Sequence, residues 1–79
     1  MAAPQARTVF LRDRKTSVRL EPVMWEALRD IAHDNGVTVN DLVDRIDRNR
    51  EGDEGLTAAI RVHIVAFYLR KCAELEAKG

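Results

Sequence analysis

Lys15, Ser17 and Arg19 alternate with Thr16, Val18 and Leu20 in the stretch KTSVRLEP, residues 15–22. Successive side chains of a strand point to opposite faces, so this spacing predicts one face of two cations and a hydroxyl and another that can be buried. The polar face is a row of hydrogen-bond donors suited to an anion or a polar edge. It pairs no nucleophile with a base.

The other reactive residue types fall into no catalytic or metal-binding pattern. Asp41, Asp44, Asp47 and Glu51 recur at helical spacing on what should be a solvated face, the usual arrangement for solubility. No glycine-rich phosphate loop occurs, so no enzyme activity and no cofactor are expected. His33 and His63 stand thirty residues apart, and with Cys72 as the only cysteine they make no metal set at a usual spacing. His33 falls in a polar run and is expected to be exposed. His63 sits at the margin of an apolar face, as a satisfied interface histidine would. Cys72 reads as an ordinary small residue.

The elements that must carry the alternating stretch follow from periodicity. MAAPQA, residues 1–6, has neither bulk nor pattern, and residues 1–14 are read as a basic, flexible arm containing Arg7, Arg12 and Arg14, with three placements open for Val9, Phe10 and Leu11: an extension of the strand, a short strand of their own, or loose packing against the body. Pro22 suits a first helical position. After it Met24, Trp25, Leu28, Ile31 and Ala32 recur at spacings of three and four, and Asn35–Gly36 ends the helix. Thr38 with Asp41 approximates a capping box for a second helix, whose stripe is Val39, Leu42, Val43 and Ile46 and whose wet face is Asp41, Asp44, Arg45, Asp47 and Arg48. NREGDEG, residues 49–55, is a charged loop. Residues 56–75 predict a third helix, and Leu56, Ala59, Ile60, Val62, Ile64, Val65, Ala66, Phe67 and Leu69 wrap well past half of its circumference. Two short helices are little to cover it with.

At 79 residues the chain is one domain, read as 15–79 behind its arm, and is marginal alone without a metal, disulfides or a partner chain. A partner subunit is the expected source of extra burial. The first residues lack an apolar run, and IVAFYL, 64–69, is far too short to span a bilayer, so a soluble cytoplasmic protein with no membrane partner is expected. Net charge is zero, yet residues 1–19 carry five basic residues against one acidic, residues 20–59 four against ten, and residues 60–79 four against two. One basic end on an acidic body directs that end at an anion.

A short alternating strand, a helix, a tight glycine turn and a capped helix occur in that order. The segment TSVRLEPVMWEALRDIAHDNGVTVNDLV, 16–43, resembles the ribbon-helix-helix family of DNA-binding proteins, in a bacterial subfamily with an added third helix. The resemblance implies a mainly α homodimer with one short strand per chain, paired antiparallel across a two-fold axis, followed by three helices. It implies a two-stranded ribbon in the major groove of double-stranded DNA, with Lys15, Ser17 and Arg19 at base edges and Arg19 able to bond guanine in bidentate fashion. The start of the second helix, Thr38, Val39 and Asn40, would grip phosphate, helped by Arg7, Arg12 and Arg14. Val18, Leu20, Trp25, Leu28, Ile31, Leu42, Ile46, Ile60, Ile64 and Phe67 would form the dimer core. The function so implied is a bacterial transcriptional regulator such as a repressor, with higher assembly on DNA open. The alternative is a protein-interaction module, antitoxin-like or an adaptor, that does not use the ribbon on DNA; the acidic middle favours it.

Overall fold

The structure is a computed structural model and describes residues 3–78. Strand β1, Gln5–Phe10, and strand β2, Lys15–Leu20, form an antiparallel hairpin, followed by helices α1, Pro22–Asp34, α2, Val39–Arg48, and α3, Leu56–Lys78. The hairpin register pairs Gln5 with Leu20, Arg7 with Val18, Val9 with Thr16 and Phe10 with Lys15. The ribbon-helix-helix order and the three helices are therefore present, and the last helix runs three residues beyond the expected end.

The amino-terminal region differs from the expectation. The strand Lys15–Leu20 finds its partner within its own chain, so each chain holds two strands rather than one, and residues 5–14 are a strand and a turn rather than a flexible arm. The reason lies in burial: of the six β1 residues only Val9 is buried, so the two-residue alternation is too faint to recognise. Leu11, just past the strand, is buried too, and the turn closes through a bond from the Leu11 N–H to the Arg14 carbonyl at 2.8 Å. No residue of that turn is left-handed, so it needs no glycine.

Local chemistry sets the helix ends. Pro22 occupies the first turn of α1, and the Glu21 carbonyl accepts from Met24 and Trp25. Gly36, at φ 67, closes α1 in a Schellman arrangement: its N–H donates to the His33 carbonyl at 3.1 Å, and the Val37 N–H donates to the Ala32 carbonyl at 2.9 Å. Thr38 caps α2, its hydroxyl accepting from the Asp41 N–H at 3.0 Å.

The core lies where the inner face of the hairpin meets the three helices. Val18, Leu20, Trp25, Leu28, Ile31, Leu42, Ile46, Ile60, Ile64 and Phe67 are all buried there, together with Val9, Leu11, Ala32, Val43 and Ala59. The residues expected to line a dimer core thus pack inside the single chain, because β1 supplies the cover that a second chain was needed for. Large apolar residues that stay exposed include Val62, Val65 and Leu69 on α3, the last at 65% exposure.

Candidate nucleic-acid interface

Cross-strand pairs share a face, so the register places Ala6, Thr8 and Phe10 beside Arg19, Ser17 and Lys15 on the outer side of the hairpin. All six residues are exposed. The face holds two cations and no carboxylate, and among the described residues no acidic side chain pairs with Lys15 or Arg19. The expected polar row on β2 is therefore present and unencumbered, and β1 adds a second row that sequence reasoning did not include.

The arginines expected as phosphate contacts have three different situations. Arg7 lies on the helix side of the hairpin, its guanidinium 5.3 Å from the centroid of the Trp25 ring. Trp25 in turn donates its indole N–H to the Gln5 carbonyl at 3.0 Å, which ties the first residue of β1 to α1. Arg12 keeps its side chain largely exposed with its Nε 4.0 Å from Asp44 Oδ2, while its backbone N–H donates to Asp44 Oδ1 at 2.9 Å. Arg14 is not free: its guanidinium donates to both carboxylate oxygens of Asp47, at 2.9 and 3.1 Å, and also meets Asp13. The hydrogen bond with Asp47 keeps the Arg14 pKa above its ordinary value.

These contacts correct the reading of α2. Asp44 and Asp47 are not on a wet face. Asp44 is 7% exposed, and the side chain of Asp47 is 9% exposed. Asn40, Asp44 and Asp47 recur at four and three residues, on one stripe of α2. They receive the hairpin at alternate positions: Asn40 Oδ1 accepts the Phe10 N–H at 3.2 Å, Asp44 the Arg12 N–H, and Asp47 the Arg14 side chain. Arg48 and Arg50 close the same carboxylates from the other side, each at 3.0 Å. The bond from Arg14 is the largest cause holding the Asp47 carboxyl below the usual carboxylate range, with Arg50 adding to it against the opposing effect of burial. This clasp was legible only as two spacings, two in the hairpin and three to four in the helix, with nothing in the sequence to match them.

The clasp also sets the geometry between the ribbon and the start of α2. Thr38 and Asn40 flank the first helical amide, Val39, and the first intrahelical bond is that of Leu42 to the Thr38 carbonyl at 2.9 Å. The amides of Val39 and Asn40 precede that bond and carry the partial positive charge of the helix start. The Asn40 side chain fixes that start against the end of β1, beside the outer face. Asp41, in the same turn, tempers the charge.

His33 is exposed, as expected. His63 is half-buried in a groove with Arg45, Asn49, Arg50 and Glu54, and its Nε2 has no hydrogen-bond partner within the chain. Burial, then the charges of Arg70 and Arg45, push its pKa below the ordinary value. Cys72 is exposed on α3. Among the described residues no group of three or more His, Cys, Asp or Glu is placed to hold a metal ion, and no helix is long and apolar enough to cross a membrane.

A strand ribbon packed on two short helices, the second capped and presenting its start beside the ribbon, defines the ribbon-helix-helix class. The family model described as a ribbon-helix-helix domain matches residues 4–68, and the chain belongs to that family. No curated protein and no solved structure matches the chain. Domains of this family are in general DNA-binding transcription regulators or antitoxins, binding DNA as dimers, and are regulatory modules rather than enzymes.

Proposed function

We propose that this protein is a sequence-specific DNA-binding regulator that inserts its hairpin into the major groove. The observation that carries the reading is the outer face of the hairpin, which holds Lys15, Ser17 and Arg19 exposed and free of carboxylates while nearby Arg14 is bound to Asp47. A two-stranded ribbon fits the major groove, where Arg19 reaches the O6 and N7 of guanine, Ser17 either a donor or an acceptor, and Lys15 a base or phosphate. The Val39 and Asn40 amides with Thr38, and the exposed side chain of Arg12, meet flanking phosphates, whereas Arg7 sits over Trp25 on the opposite face of the hairpin. Phosphate contacts set orientation and affinity without reading sequence.

The acting species is a homodimer, and α3 supplies its contact. Val62, Val65, Ala66 and Leu69 form a continuous exposed apolar strip, the kind of surface that monomers rarely leave in water. Two copies of α3 cover it, and each dimer then carries two complete ribbons. The same strip is what favours a second reading, an adaptor or antitoxin-like module whose partner is another protein.

Duplexes selected from a random pool test both. Arg19→Ala lowers affinity for the selected site by about 1–3 kcal/mol and relaxes one base preference, whereas Arg12→Ala weakens all duplexes alike and reduces the salt slope by about one. Absence of any retained duplex at low salt, with a second protein co-purifying, overturns the DNA reading in favour of the adaptor.

A further inference from the structure

We infer that β1 is the thymine-reading strand of the ribbon, with the Phe10 ring and the Thr8 methyl recognising the C5-methyl groups of thymine in the major groove. The inference deepens the DNA reading above and rests on it. Phe10 is 61% exposed on the outer face, although both neighbours in sequence, Val9 and Leu11, are buried. It stands directly opposite Lys15, and Thr8 stands opposite Ser17. An aromatic ring left in water next to a cation contributes nothing to this fold's core, yet its position is held. The Phe10 N–H is fixed by Asn40, and the Arg12 N–H by Asp44.

The two rows of the face therefore differ in chemistry. β2 presents donors, whereas β1 presents Ala6, Thr8 and Phe10, exposed residues that each carry methyl or ring carbon. Base edges in the major groove offer hydrogen-bonding groups and one apolar group, the thymine methyl, which Ala, Thr and Phe side chains contact. Unpaired cations on the neighbouring strand draw the ribbon to DNA rather than to an apolar partner. The β2 row then falls on guanine and the β1 row on thymine within one short site.

The test replaces thymine by deoxyuridine, one position at a time, in a duplex selected by the full-length protein, at fixed salt. Uracil lacks only the C5-methyl, and the two bases are identical in the minor groove. The wild type is expected to lose about 3- to 5-fold in affinity at one or two positions, the factor that burial of one methyl group supplies. Phe10→Ala binds the thymine duplex more weakly and no longer distinguishes the two bases at one of those positions. Thr8→Ser, which keeps the hydroxyl and the fold, does the same at the other. Arg19→Ala binds more weakly throughout but keeps the thymine preference. Equal affinity of the wild type for both duplexes overturns the inference and leaves the DNA reading standing, as does a change in the oligomeric state of free Phe10→Ala, which would assign the ring to a second copy. Failure to retain any duplex overturns both.

Discussion

Helices α2 and α3 invert the usual relation between residue type and environment. The carboxylates of α2, Asp44 and Asp47, are nearly buried, while Val62, Val65 and Leu69 of α3 lie in solvent. Each departure has a partner as its cause. The hairpin turn brings a backbone N–H and two guanidinium groups to α2, so the buried charges there are paired and hydrogen-bonded, the condition under which burial is tolerated. On α3 the strip of Val62, Val65 and Leu69 faces away from the core residues Ile60, Ile64 and Phe67, and between Tyr68 and Lys78 every residue is exposed apart from the half-buried Lys71. Residue type states what an environment must provide, and only the neighbouring segment shows whether it is provided.

Truncating a leucine on each side of that contrast gives the largest effect. Leu42→Ala, at a fully buried site of α2, should cost about 2–5 kcal/mol in a urea titration. Leu69→Ala should stay within about 0.5 kcal/mol when measured on dilute, monomeric protein. Val65→Lys with Leu69→Lys should halve the mass in sedimentation equilibrium and leave the helical circular dichroism intact; an unchanged mass would show that the α3 strip is not the dimer contact.

A smaller effect is expected from the clasp. Asp44→Ala leaves the Arg12 N–H without its acceptor, and loses about 1–3 kcal/mol. Asp41→Ala, on the same helix but exposed and outside the clasp, should change stability far less, and equal losses would erase the distinction drawn between the two acids.

The smallest effects follow acidity. For Asp47 the folded carboxyl titrates below its unfolded value because Arg14 and Arg50 bond the charged form, so its contribution is present above the unfolded pKa of 3.8 and is lost as pH falls through the folded one. His63 also titrates low, but as a base. Its neutral form is favoured in the fold, so stability begins to fall as pH drops below the unfolded value of 6.5 and levels off beneath the folded one. Urea midpoints between pH 8 and pH 3 should show two steps, with the upper step absent in His63→Leu and the lower one reduced in Asp47→Asn.

Much of this molecule was legible from residue order. Pro22, Gly36 and the Thr38 cap mark helix ends because their backbone and side-chain chemistry acts within a few residues. Val18 and Leu20 declare the inner face of a strand, and Lys15, Ser17 and Arg19 its outer one, because a period of two is a local property. For β1, residue order left a short strand at Val9, Phe10 and Leu11 as one of three open placements, since a strand with one buried residue in six has no period to decide it. The Asn40, Asp44 and Asp47 stripe looked like a solvated face for a related reason: a carboxylate's surroundings depend on groups thirty residues away. Thr8 and Phe10 reached the site by the same route.

Residue order by itself determined the three helices, the alternation of β2 and the basic amino-terminal end, all of which arise from spacings shorter than two helical turns. Tertiary structure alone decided that β2 pairs within its own chain, that Asp44 of α2 is buried and Asp47 half-buried against the hairpin, and that α3 leaves its apolar strip exposed. Pairing and burial depend on which distant segments meet, and Val9 and Leu11 settle that only once they are seated against the helices.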